Sequence, residues 1–430
     1  MQFFDGFDNS LGAVKSANAR RAFDASPELE LRVRAQLDDV RARGDAALLD
    51  SARRYDCASL ELDGLRVRED EIESAWRGLP DAAKRALERA AKNIEAYHQA
   101  QKPRDFAITT PEGACVGARY CPVERAGIYA PNGRAAYPST VLMLAIPARV
   151  AGVRDVVLAT PASADGNAHP VILAAARVAG VKEIWKMGGA CAVGAFAFGT
   201  QSVAPVDTIA GPGSIYFTLA KKQVFGQVGI DGLYGPSEVG IVADESQLGR
   251  APQLAADLLA QAEHGGDSFV LFVSNSREVC EAVGRELELQ TGASPRAKLA
   301  LGALENSLIC RVETMAQACE LASQAALEHV ELWSNDARRW AGQISHAGAI
   351  FLNTPVPMGD YIIGPSHTLP TGTTARFSSG VGVDTFLKRT SIVEAPREAI
   401  ALLADDLETI ALLEDLPGHA AAARCAALKR

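Results

Sequence analysis

A chain of 430 residues, 48% hydrophobic and 22% charged, exceeds what one hydrophobic core serves; this implies two or more core-bearing units and excludes intrinsic disorder. Its net charge of -9 is spread along the sequence without a Lys/Arg block, which excludes a phosphate-backbone footprint and nucleic acid as partner. Apolar runs such as Val141 to Ile146 are too short to span a bilayer, the start Met1-Gln2-Phe3-Phe4-Asp5-Gly6 lacks a basic segment followed by an apolar one, and eight scattered cysteines lack CxxC spacing, so a cytoplasmic protein with reduced thiols is expected.

Residues 28–54 and 70–100, rich in Ala, Leu, Arg and Glu with helical spacing of apolar positions, read as helices. From about residue 125 the texture changes to short β-branched runs alternating with Ala-rich helical segments. Strands are predicted at 155–160, 183–187 and 206–210, with helices at 170–178 and 192–198 between them. This βαβαβ order implies a parallel sheet. The alternation then repeats: strands at 239–243, 269–274, 307–312 and 349–353, helices around 254–262, 279–287 and 315–326. Two doubly wound halves follow. After Gly380 comes a helical run at 398–413, then Pro417-Gly418 and a last Ala-rich helix, a tail too short for its own core and expected to dock elsewhere.

Chemistry-bearing residues are sparse. Gly188-Gly189-Ala190-Cys191-Ala192 and Gly211-Pro212-Gly213 are strand-to-helix turns in which glycines can bring backbone close to a phosphate, although two tight turns needing small residues explain the pattern equally well. Four of the seven histidines have informative neighbours. Gln261 and His264 stand three apart at a helix end and can face one centre. Glu328 adjoins His329 near a strand start, Asp360 and His367 share a Gly/Pro-rich loop, and His419 follows Glu414 in the tail. Such oxygen and imidazole donors suit Zn²⁺ or Mn²⁺, while each histidine alone reads as an ordinary surface or hydrogen-bonded residue. His98 and His346 read as structural, and His169 as a loop residue.

These segments together resemble the histidinol dehydrogenase family over nearly the whole chain. The resemblance is carried by Val40-Arg41-Ala42-Arg43-Gly44-Asp45-Ala46-Ala47-Leu48, Tyr137-Pro138-Ser139-Thr140-Val141-Leu142-Met143, Gly235-Pro236-Ser237-Glu238, Gln261 to Gly265, Glu328-His329 and Ala375-Arg376-Phe377-Ser378-Ser379-Gly380. It implies an α/β fold of two Rossmann-like domains, with a helical N-terminal segment and a small C-terminal domain. The boundaries are 1–25 for the N-terminal segment, 26–128 plus 238–380 for the domain with catalytic and metal residues, 129–237 for dinucleotide binding, and 381–430 for a C-terminal domain exchanged in a homodimer.

The resemblance also implies one zinc ion per subunit held by Gln261, His264, Asp360 and His419, and a catalytic pair, Glu328 and His329. Substrate contacts fall on those residues with Ser237, His367 and Glu414, and dinucleotide contacts on Tyr129, Cys191 and Ser214. The implied activity is oxidation of L-histidinol through the aldehyde to L-histidine with two NAD. His329 would remove the hydroxyl proton as a neutral imidazole, and Glu328 would activate the water that hydrates the aldehyde.

Four positions depart from the family pattern: Cys191 replaces a glutamine, Ser214 an asparagine, Asn132 a glycine, and Tyr234 a small residue. Such changes also fit a paralogous zinc- and NAD-dependent dehydrogenase of another polar alcohol, for example sulfopropanediol. A zinc hydrolase would leave two doubly wound halves without a purpose, and a non-catalytic ligand-binding dimer would not need Glu328 and His329.

Overall fold

The computed structural model describes residues 1–132 and 136–427; Gly133, in the turn Pro131-Asn132-Gly133, and residues 428–430 of the tail lie outside them. The chain forms two compact units, residues 1–101 with 124–386, and residues 102–123 with 387–430.

The first unit holds two parallel sheets. One runs in the order Glu183–Lys186, Asp155–Thr160, Arg125–Tyr129, Thr208–Ala210, Gly229–Ile230. The other runs Gln2–Asp5, Leu308–Arg311, Phe269–Ser274, Glu238–Ala243, Leu327–Trp333, Ala347–Leu352. In each sheet the chain winds outward from its first long strand and then crosses back to that strand's other side, the doubly wound Rossmann-like plan anticipated above. The switch points lie between Arg125–Tyr129 and Thr208–Ala210, and between Glu238–Ala243 and Leu327–Trp333.

Both central strands are buried on both faces, as apolar crossovers of a parallel sheet require. Helix Ala251–Ala262 covers one face of the larger sheet through Leu254 and Leu258 against Val270 and Phe272. Helices Phe7–Arg21 and Met315–Ala325 cover the other through Val14, Ala17, Ala318 and Leu321 against Leu271 and Leu308.

Packing divides the chain differently from the boundaries drawn above. Val33, Leu37, Val40 and Leu48, from helices Pro27–Arg43 and Asp45–Tyr55, belong to the core of the five-stranded sheet, with Val157, Phe196 and Phe217, and not to the domain beginning at 238. The first segment is no free appendage: Gln2–Asp5 adds a strand to the six-stranded sheet and Val14 enters its core. Residues 102–123 group with the tail because Cys115–Pro122 pairs antiparallel with both Phe106–Thr109 and Leu387–Glu394. Helices Arg397–Leu413 and Pro417–Ala427 complete that second unit.

Two predicted helices are interrupted. Gly44, at φ 58, separates Pro27–Arg43 from Asp45–Tyr55. Pro80, which the reading of 70–100 passed over, separates Glu69–Gly78 from Asp81–Gln101, since the residue before a proline is driven out of the helical region.

Candidate active site

The side chains that can do chemistry gather at the amino ends of Glu238–Ala243 and Leu327–Trp333, the two strands flanking the switch point of the larger sheet. Helix Met315–Ala325 ends on Ala326 in the left-handed region, φ 48, and this tight turn delivers Leu327-Glu328-His329 straight into the strand. At the head of this strand the two side chains converge, with Glu328 Oε2 3.6 Å from His329 Nδ1. Both are held by one neighbour. The Glu238 main-chain N–H donates to Glu328 Oε2 at 2.9 Å, and the Glu238 carbonyl lies 3.3 Å from His329 Nδ1.

The second ring nitrogen of His329, Nε2, lies 3.1 Å from Asp360 Oδ1. Burial disfavours a charged imidazole here, but the carboxylates of Glu328 and Asp360 outweigh it and hold His329 well above its ordinary range. The Glu238 carbonyl and Asp360 Oδ1 thus face the two ring nitrogens. Asp360 is pulled the other way. Burial raises it, yet His329, His367 and His264 together keep it below the usual carboxylate range.

Asp360 sits on a single wide helical turn, Gly359–Ile363. The Asn93 side chain donates to the Ile362 carbonyl at 2.7 Å, tying the turn to helix Asp81–Gln101. The turn ends on Gly364, φ 141, where a Cβ would stand 2.9 Å from the Asn93 carbonyl, so glycine is required. The loop closes when His367 Nδ1 meets the Asp360 carbonyl at 2.9 Å. If Nδ1–H donates there, Nε2 accepts from the Thr140 hydroxyl at 3.0 Å, a bond that joins the loop to helix Pro138–Ala151 of the five-stranded half.

Gln261 is buried in the last turn of Ala251–Ala262, and His264 lies just beyond it with Nδ1 2.9 Å from the Ala260 carbonyl. Among the described residues no group of three or more His, Cys, Asp or Glu side chains is gathered to hold a metal ion. The donor chemistry nevertheless fits zinc. His264 brings an imidazole oriented by the Ala260 carbonyl, Asp360 a carboxylate held below its usual range, and Gln261 an amide oxygen. Ser237 is half-buried beside Glu238. Glu414 and His419 belong to the second unit, at the end of Arg397–Leu413 and in the first turn of Pro417–Ala427, both exposed.

The anticipated dinucleotide residues cluster around the other switch point, at carboxyl ends of strands, where open α/β sheets take ligands. Tyr129 ends its strand, buried and stacked on Phe217 with ring centroids 4.1 Å apart. Cys191 lies in the first turn of Gly189–Phe198, buried, its thiol pushed up by burial against a hydrogen bond to Ser51. Ser214, exposed, occupies the N-cap position of helix Ile215–Val224 without a side-chain capping bond. Gly211 between them has φ 129 and leaves no room for a Cβ, which would stand 2.5 Å from the Tyr129 carbonyl. Asp231 accepts from the Gly211 N–H at 2.6 Å, and the buried Lys221 ammonium donates both to the Gly211 carbonyl and to Asp231.

Two of the departures acquire a structural account. Tyr234 is buried with its ring 4.5 Å from the Lys221 ammonium, inside the five-stranded half. Asn132 donates to Ser163 Oγ at 3.1 Å. His169, anticipated as a loop residue, caps helix Pro170–Ala179 by accepting from the Val171 N–H. Sequence reasoning missed Thr140 as a site residue, and Glu238, whose main chain holds the Glu328–His329 pair; both lie in stretches it quoted, but nothing local marks a backbone contact between residues 90 apart.

The sequence profile described as histidinol dehydrogenase matches residues 19–426. Histidinol dehydrogenase of Prochlorococcus marinus (strain MIT 9313) is 44% identical over 391 residues, 90% of this chain and 88% of the relative. That of Symbiobacterium thermophilum is 45% identical over 405 residues, 94% of this chain and 92% of the relative. The crystal structure of histidinol dehydrogenase from Elizabethkingia anophelis superposes with a TM-score of 0.92 at 33% identity, covering 99% of this chain and 98% of that one.

Proposed function

The chain belongs to the histidinol dehydrogenase family, and on that premise we propose that it oxidises L-histidinol through the aldehyde to L-histidine, passing two hydrides to two NAD. The observation that carries this reading is the contact set Glu328, His329 and Asp360 at one switch point, joined through His367 and Thr140 to the half that bears Tyr129, Cys191 and Ser214. A reacting carbon between the halves would have a proton-transfer pair on one side and a hydride acceptor on the other.

In the first oxidation the hydroxyl proton of the alcohol passes to His329 Nε2 once Asp360 no longer claims that atom, while the carbinol hydrogen leaves as hydride to NAD. Glu328, fixed by the Glu238 N–H, takes a proton from the water that adds to the aldehyde. After His329 has released the first proton to solvent, the resulting diol gives its hydride to a second NAD and a hydroxyl proton to His329, and the acid so formed ionises to the carboxylate. Dividing proton transfer this way leaves Glu328 to the hydration step and His329 to the two oxidations.

Gln261, His264 and Asp360, with His419 of the partner subunit, would hold one zinc ion, which supplies a Lewis acid that anchors the substrate's nitrogen and oxygen donors. Ser237, His367 and Glu414 of the partner subunit would line the substrate. This requires a homodimer whose tails are exchanged, working in the cytoplasm on a small polar alcohol. No helix of the described residues is long and apolar enough to cross a membrane. Relatives named for histidinol, at 44% and 45% identity, support that alcohol over the paralogue's.

The test is a panel of amino and sulfonate alcohols, with zinc and NAD supplied and NADH followed by absorbance. L-Histidinol should give two NADH per molecule and the highest kcat/KM. Turnover of a sulfonate alcohol with none of histidinol would overturn the reading.

A further inference from the structure

The residue that holds both Glu328 and His329 is itself held from behind. Glu238 is buried, 3% exposed, and its Oε1 accepts from the Gly372 N–H at 2.9 Å and lies 2.7 Å from Arg21 Nη1. Arg21 ends helix Phe7–Arg21, more than two hundred residues away in sequence, with its side chain 9% exposed. Its guanidinium is fixed from three further directions: Nη2 donates to Asn18 Oδ1 and to the Ala325 carbonyl, and the group lies 4.5 Å from the centroid of the Phe269 ring. A charge pinned this firmly to a buried carboxylate does more than neutralise it. It holds the Glu238 carboxylate at the head of the strand whose N–H and carbonyl meet Glu328 and His329.

We propose that Arg21 is a positioning residue: its ion pair with Glu238 fixes the main-chain groups that aim Glu328 and His329. The inference rests on the roles given above to those two residues. Without Arg21 the Glu238 carboxylate is a buried anion lacking its cation, and it must move or take up a proton. Either response turns the Glu238 peptide groups. Ala325 is also the penultimate residue before Leu327-Glu328-His329, so the Arg21 bond to its carbonyl braces the same turn from the other side. A cleft of about 350 Å³, lined by Arg20, Arg21, Phe23, Pro236, Glu238 and Phe269, opens beside the pair and offers space for a small planar cation.

That cleft makes the test specific. Arg21→Ala is assayed in the full chain, with zinc and NAD, using whichever alcohol the intact enzyme turns over best, so that failure of the histidinol reading leaves this comparison standing. The expected result is a kcat lower by about 100-fold, the scale on which small misplacements of reacting groups act, with the KM for NAD unchanged. Guanidinium chloride at non-denaturing concentration should restore about a tenth of the lost rate or more by occupying the vacated place, without raising Tm, while equal sodium chloride should not. Arg21→Lys, which keeps the charge but not the forked donors, should fall between. A kcat within about threefold of the intact enzyme would overturn the proposal, as would a loss that tracks Tm and is untouched by guanidinium. If Arg21→Ala does not fold, the Arg21→Lys kcat-against-KM split decides by the same criteria.

Discussion

Glu331 lies two residues beyond His329 on the same strand and so on the same face, fully buried, accepting from the Val356 N–H at 2.8 Å and from the Trp333 indole at 2.7 Å. Asp257, one helical turn before Gln261, is within hydrogen-bond reach of it, and Asp257 Oδ2 is buried without a donor. Burial first, and then the charge of Asp257, raises Glu331 to about 8, while burial raises Asp257 to about 6. The pair therefore keeps a proton at pH values where the unfolded chain, with Glu near 4.5, has lost it. A raised folded value means stability fully present below about 4.5 and lost as pH climbs through about 8. Asp257→Asn supplies a donor to Glu331 and removes the neighbouring charge, so denaturant unfolding should show a flatter loss of stability between those limits. The variant should be ahead by on the order of 1–2 kcal/mol near the upper limit. Parallel curves for the two proteins would sink the shared-proton account.

At the scale of elements, what was legible in the sequence was what is periodic. Asp155–Thr160, Glu183–Lys186, Phe269–Ser274 and Leu308–Arg311 are β-branched or apolar runs bounded by breakers, and each strand falls within a residue or two of its anticipated place. Gln2–Asp5 has only four residues and two exposed positions, so its membership of the large sheet depends on a partner three hundred residues away. The site was half legible for the same reason. Glu328-His329 and Gln261 with His264 are local patterns, whereas the bonds from His329 to Asp360, from His367 to Thr140 and from Arg21 to Glu238 exist only after folding. The dinucleotide side offers a test at this scale. Ser214 is exposed where helix Ile215–Val224 begins and its side chain makes no capping bond, so Ser214→Asn restores the family's amide without disturbing packing. It should tighten NAD by roughly 0.5–1.5 kcal/mol, read as a lower KM for NAD with the alcohol's KM unchanged. Cys191→Gln should gain less, because the buried thiol leaves little room and overpacking costs about 1–3 kcal/mol. If Ser214→Asn leaves NAD affinity as it was, the cofactor does not lie at this helix terminus.

The whole molecule raises the question of what the second unit is for. Helix Arg397–Leu413 exposes Leu402, Leu407, Ile410, Leu412 and Leu413, and the sheet exposes Phe106, Ile108 and Val393, a concentration of apolar surface of the kind that interaction sites carry. Glu414 directly follows the exposed Leu413, and His419 lies in the first turn of the next helix, Pro417–Ala427. If each tail completes the site of the other copy, one lesion per chain can be separated by mixing. His419→Ala and His329→Ala should each be inactive as pure dimers. In a mixed dimer, the chain with intact His329 receives an intact tail from its partner, while the opposite site carries both lesions. Random reassembly of equal amounts makes half the dimers mixed with one working site each, so about a quarter of the intact activity should return. Were each site built from a single chain, every site in the mixture would carry one lesion and no activity would return. The measurement is NADH formation after co-refolding, with heterodimers counted by native mass spectrometry. Heterodimers present without activity would exclude the exchange and require His419 to act within its own chain.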